Sequence, residues 1–300
     1  GVPARDGQAL FGMLLASPAL RQACDAGRAA DRRTVRLWID PDAPELHALP
    51  WELLHDGERC LAASAATPFS RYLPTDAPWG GLVTERPIRV LSVVANPSDL
   101  ADLYSLAPID VDAERGLLTQ ALGELVPSHF HLQHLAAPAT LERLEQALAS
   151  GFHVLHIVAH GRYSSRLGQA ALVLEDAAGH VQLVTDAQLT DMLRRQPKLP
   201  SLVVIAACQS AERSAVDAFA GLAPKLIQAG VPAVVAMQDR VAIGAVRAML
   251  PVLYAELARH GAIDRALNAA RSALLSGGQA DVAVPVLFMR LKEGQLWEPL

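Results

Sequence analysis

The chain has 300 residues, 51% hydrophobic, 19% charged and 5% aromatic, which is the balance of folded domains with a sizeable core and excludes a disordered tail or a collagen-like fibre. Its 26 basic and 31 acidic residues leave a net charge of -5, so it has no basic footprint for a duplex or an anionic membrane, and no nucleic-acid partner is expected. Three scattered cysteines, Cys24, Cys60 and Cys208, are too few for a disulfide framework or a four-ligand zinc site and point to a reducing, cytoplasmic compartment.

The first residues, Gly-Val-Pro-Ala-Arg-Asp, carry neither an initiator Met nor a signal pattern, and the chain is expected to be part of a longer protein. A helix is expected over 8–15 and a strand over 34–39, followed by the Pro-flanked stretch Leu49-Pro50-Trp51-Glu52-Leu53-Leu54, whose Trp51 reads as a packing anchor. Turn formers gather between Pro74 and Pro87 and mark a boundary between a smaller unit, 1–85, and a larger one, 86–300. Beyond it the texture alternates. Apolar runs at 88–95, 153–159, 202–207, 232–237 and 284–289 read as strands, and helical spacing appears at 112–125, 140–149, 186–195, 221–229, 245–260 and 262–276. Continuous Val/Ile/Leu strands alternating with helices imply an α/β fold with a mostly parallel sheet covered on both faces. The best apolar runs, 202–208 and 231–237, are far shorter than a membrane span requires, so none is expected.

In such sheets, chemistry collects beyond the carboxyl ends of the strands. One strand ends in Ala159-His160-Gly161 and another in Ala206-Ala207-Cys208-Gln209-Ser210. A thiolate is the nucleophile of cysteine catalysis, and a neighbouring imidazole can activate it or pass a proton to the leaving amine. A glycine beside the histidine lets backbone N–H groups approach a developing oxyanion. His153 and His156 lie inside their strand and read as structural, and Cys24 and Cys60 as small packing residues. No metal-ligand spacing and no glycine-rich phosphate loop is present, so no metal and no cofactor are expected. Asn96-Pro97-Ser98 after the strand near 90, in place of a glycine-rich turn, argues against a nucleotide-binding domain.

Three blocks, 152–161 (Phe-His-Val-Leu-His-Ile-Val-Ala-His-Gly), 202–211 (Leu-Val-Val-Ile-Ala-Ala-Cys-Gln-Ser-Ala) and 229–238 (Ala-Gly-Val-Pro-Ala-Val-Val-Ala-Met-Gln), together resemble the signature segments of bacterial CHAT-domain proteins, relatives of caspases and separase. Flanking matches include 49–54, Asn96-Pro97, 110–114, Arg265-Ala266 to Ala270-Arg271, and 285–290. The 48 residues between His160 and Cys208 are close to the roughly 50 that separate the pair in caspases. The resemblance implies a caspase-like fold over 86–300 with a smaller, pseudo-caspase-like α/β subdomain over 1–85. It also implies a cysteine endopeptidase with His160 and Cys208 as catalytic dyad, and with Gly161 and Cys208 N–H groups as oxyanion hole. Such an enzyme cuts a protein substrate under the control of regulatory domains or an activator outside this chain, in a bacterial signalling or defence system. The alternative is a catalytically inactive interaction module of a larger signalling protein.

The same resemblance implies a substrate pocket around Asp112, Ala206, Met237, Gln238 and Asp239. Caspases place a Gln where this chain has Ala206, so a pocket for an acidic side chain would lack its partner. An inward-facing Asp239 would pair with a substrate Arg or Lys, whereas a wall of Met237 and Ala206 suits Leu or Met; an apolar or small neutral residue is favoured. Asp239 also reads as a solvated carboxylate beside Arg240, and Asp112 and Glu114 as helix N-terminal carboxylates favoured by the helix dipole. Arg162 and Arg166 lie in a segment expected to be either a flap over the cleft or a solvated connection.

Overall fold

In the structure, a computed structural model, residues 2–28, 33–40, 43–164, 169–206, 213–237, 243–279 and 281–299 are described. The strands are β1 (Val35–Leu37), β2 (Phe69–Tyr72), β3 (Ile88–Val94), β4 (Phe130–His134), β5 (Val154–Val158), β6 (His160–Ser164), β7 (Gln169–Glu175), β8 (Val181–Thr185), β9 (Leu202–Ala206), β10 (Ala233–Met237) and β11 (Pro285–Met289). The helices are α1 (Val2–Leu14), α2 (Pro18–Arg28), α3 (Pro44–His47), α4 (Leu100–Tyr104), α5 (Val111–Leu122), α6 (Leu141–Leu148), α7 (Asp186–Arg194), α8 (Arg213–Gln228), α9 (Ile243–His260) and α10 (Ile263–Ser276).

Among the described residues the five apolar runs, joined by β1, β2 and β4, form an eight-stranded sheet of order β1-β2-β11-β10-β9-β5-β3-β4, parallel throughout except where β11 runs against β10. Alternate side chains go to opposite faces. Val203, Ile205, Leu155 and Val234 pack under α6, α7 and α8, while Leu202, Val204, Val154 and Val235 pack under α5, α9 and α10. Both faces are therefore apolar, which is why these strands read as unbroken hydrophobic runs. Local sequence sets the helix starts. The Asp110, Thr140 and Thr185 side chains accept from the N–H groups of Ala113, Arg143 and Gln188, satisfying donors that a helix leaves unpaired.

The segment 1–85 holds its own apolar cluster around Phe11, Trp51, Leu54, Leu61 and Phe69, and its β1 and β2 extend the large sheet through β11. Trp51 is buried and its indole N–H donates to the Leu46 carbonyl at 2.7 Å. Buried polar groups lock the two segments together. Asn268 Nδ2 on α10 reaches the carbonyls of Leu61, Ser64 and Thr67, and the Arg271 guanidinium donates to the carbonyls of Ala62 and Pro285. The turn-rich stretch 74–87 is irregular, as its composition implies, yet it is docked: Val83 N–H donates to the Leu296 carbonyl at 3.0 Å, and Arg290 bonds the carbonyls of Thr75, Ala77 and Pro78. No described helix is long and apolar enough to cross a membrane.

Candidate active site

β5 and β9 are parallel neighbours, with Val158 opposite Ala206 and Ala159 N–H reaching the Ala206 carbonyl at 3.5 Å. The chain leaving β5 toward His160 thus starts beside the chain leaving β9 toward position 208. Cys208 itself lies outside the described residues, as do Gln238, Asp239, Arg166 and Arg240.

The stretch beginning at His160 differs from the flap or solvated connection expected there. Residues 160–164 form β6, paired antiparallel with β7, and β7 pairs with β8 to make a second, three-stranded sheet. The polar composition of this stretch hid the strand, which is specified by its pairing with β7 rather than by an apolar pattern of its own. His160 opposes Val173 and Gly161 opposes Leu172, so Gly161 occupies a strand rather than a plain turn.

The His160 side chain is 1% exposed. Its Nε2 lies 2.9 Å from the carbonyl oxygen of Ala107. A carbonyl oxygen only accepts, so Nε2 carries the proton and Nδ1 presents the lone pair. Nδ1 is buried and has no hydrogen-bond partner among the described residues. Burial depresses the pKa of His160 below its ordinary value, opposed by the bond to Ala107. The imidazole is therefore neutral near pH 7, with its basic nitrogen unpaired among the described residues. Ala107 belongs to the segment after α4, where Ser105 adopts a left-handed conformation (φ 54°) that ends the helix. No side-chain pattern could have revealed this residue, because it acts through its backbone.

Ala206 is buried at the end of β9 in an apolar cluster with Val94, Ile109 and Val158, with Val111 packed against it. These residues mark the ends of β3, β5 and β9 and the entry to α5, which caps them. Asp112 is exposed in the first turn of α5. Glu114 is half-buried, and its carboxyl is pushed up by desolvation and then by the neighbouring Asp110. Met237 is 1% exposed and packs in the core beneath α9 and α10. Arg162, on the same face of β6 as His160, stacks its guanidinium 4.2 Å from the centre of the Tyr104 ring.

His153 and His156 have structural partners. His153 Nδ1 accepts from Arg89 N–H at 3.0 Å and Nε2 donates to Glu85 at 3.3 Å. His156 Nδ1 meets the Tyr254 hydroxyl at 3.0 Å. Cys60 is partly buried, its thiol pushed up by desolvation, and Cys24 packs against the N-terminal cluster. Among the described residues no group of three or more His, Cys, Asp or Glu could hold a metal ion.

The CHAT domain family model matches residues 4–293. The chain belongs to the CHAT domain family. This CHAT domain is similar in fold to the separase of the Saccharomyces cerevisiae separase–securin complex, at 13% identity and a TM-score of 0.45 over 81% of this chain. The match spans 15% of the separase chain. It is also similar to the Drosophila initiator caspase Dronc, at 13% identity and a TM-score of 0.40, over 76% of this chain and 93% of the caspase. No curated protein matches the chain.

Proposed function

We propose that this CHAT domain is a cysteine endopeptidase in which Cys208 is the nucleophile and His160 the general base and acid. The observation that carries the reading is the state of His160: its Nε2 proton is tied to the Ala107 carbonyl, and its Nδ1 lone pair is buried without a described partner at the end of the strand next to the one that leads to Cys208. In the proposed reaction the Cys208 thiol gives its proton to His160 Nδ1, and the thiolate attacks the substrate carbonyl carbon. The oxyanion is held by backbone N–H groups of Gly161 and Cys208. Collapse of the tetrahedral intermediate breaks the C–N bond as His160 returns the proton to the leaving amine. Water, deprotonated by His160, then hydrolyses the thioester and restores the thiol. The bond to Ala107 supports each step by keeping the ring in one tautomer and one orientation, while burial keeps it neutral between turnovers.

The substrate in this reading is a protein, held with an apolar or small neutral residue near the Ala206, Val158 and Ile109 cluster. Regulation rests on domains or an activator outside this chain, in a reducing cytoplasm of a bacterial signalling or defence system. Stoichiometric labelling of the purified protein by a peptidyl chloromethyl ketone tests the reading even if the enzyme is latent toward peptides. Labelling is expected on Cys208, and His160→Ala slows it by about 10²-fold or more. Equal labelling of Cys208→Ala and wild type sinks the assignment.

A further inference from the structure

The carbonyl that orients His160 is itself held by a polar clamp. Asn96 stands just past the end of β3, and its side-chain Oδ1 accepts from the backbone N–H of Ile109 at 2.8 Å. The backbone N–H of Asn96 in turn donates to Glu175 Oε1 at 2.8 Å, and the other carboxylate oxygen accepts from Ala139 N–H at 2.6 Å. Glu175 is 6% exposed and ends β7, after the apolar residues 170–174. Its two oxygens thus join the segment after β4 to the end of β3, and Asn96 carries that connection to the stretch 105–109 that contains Ala107. The outer part of the same loop is fastened to the small sheet: Asp99 accepts from Val181 N–H at 2.7 Å, Ser98 N–H donates to the Gly179 carbonyl at 2.9 Å, and Leu100 and Leu106 pack on Val173. Val173 lies opposite His160.

We infer that Asn96 and Glu175 are positioning residues, which fix the Ala107 carbonyl and through it the tautomer and ring orientation of His160. A buried carboxylate costs desolvation unless it is hydrogen-bonded, and here its bonds go to the backbone of the segments that frame the histidine. An asparagine bonded to a backbone N–H two residues beyond Ala107 limits how far that carbonyl can swing. Removing the Oδ1 acceptor leaves the Ile109 N–H unpaired and the loop free to open, so the Nε2–H bond breaks more often. The catalytic consequence rests on the peptidase reading above; the conformational one does not.

The test reads His160 directly. In protein labelled with 15N-histidine, the Nε2–H resonance is assigned by its absence from His160→Gln. Its solvent exchange is then measured in Asn96→Ala, Asn96→Asp and Glu175→Gln. Asn96→Ala is expected to exchange about tenfold faster than wild type, the effect of losing one bond. Asn96→Asp keeps an acceptor for Ile109 and is expected to retain most of the protection. Glu175→Gln presents an amide NH2 where one of two N–H donors now binds and should behave like Asn96→Ala. If exchange in Asn96→Ala matches wild type, or if Asn96→Asp loses protection as fully as Asn96→Ala, the clamp does not hold the histidine. In a parallel assay on active-site-titrated enzyme, Asn96→Ala is expected to lower kcat by up to about 10²-fold with little change in KM. Altered exchange in an enzyme that cleaves nothing would uphold the positioning role and count against the peptidase reading alone.

Discussion

Acid should destabilise this protein through His156. Its Nδ1 meets the Tyr254 hydroxyl at 3.0 Å in the interior between β5 and α9, and both side chains are fully enclosed. Desolvation lowers the histidine to about 4 from an ordinary 6.5 and raises the tyrosine. The unfolded chain therefore takes up a proton as pH falls below about 6.5, while the folded chain refuses it until about 4. Stability contributed by the neutral ring is intact above that window, declines through it and is fully lost below it. A difference of this size corresponds to roughly 3 kcal/mol in total, of which about 2 kcal/mol is lost by pH 5. His47, His134, His153, His160 and His260 are also lowered, each with desolvation as the leading cause, and act in the same direction. The specific term is isolated by comparing wild type with His156→Gln, which keeps a hydrogen-bonding group for Tyr254 but does not titrate. Urea unfolding at pH 7.5 and pH 5 should show wild type losing about 2 kcal/mol more than the variant. Equal losses in the two proteins would mean that His156 is not held neutral by burial.

Other groups give outcomes as definite. Arg271→Leu orphans the Pro285 and Ala62 carbonyls and should cost about 3 kcal/mol in urea unfolding; a change below about 1 kcal/mol would show that water replaces the guanidinium. If the proposed peptidase reading holds, activity should fall as acid protonates His160, with the apparent midpoint below its ordinary value because burial depresses it, the measured values belonging to the proposed His–Cys pair. EDTA should leave that activity unchanged; loss on chelation with recovery on adding metal would contradict the dyad mechanism.

The central strands of the sheet were legible because burial on both faces demands unbroken apolar runs. The segments at 88–94, 154–158, 202–206, 233–237 and 285–289 fall within one residue or so of where composition places them. Helix α5 was equally legible, since Asp110 caps it and apolar residues recur along it. Strands β2, β4, β6, β7 and β8 were not, because each carries polar or charged residues and becomes a strand only when its partner arrives. The linker expected at 74–87 was legible as turn chemistry but not as a docked segment, because its anchors come from Arg290 and Leu296, more than 200 residues away.

By itself the sequence determined which residues could do chemistry: a histidine and a glycine ending one buried strand, and a cysteine past the end of another. Tertiary structure alone decided that those two strands are adjacent, and that the histidine's proton sits on Nε2. Strand order depends on contacts between residues far apart in the chain, which no local pattern encodes. The tautomer depends on the Ala107 carbonyl, a backbone atom without a side-chain signature, brought to His160 by a loop fastened through Asn96 and Glu175.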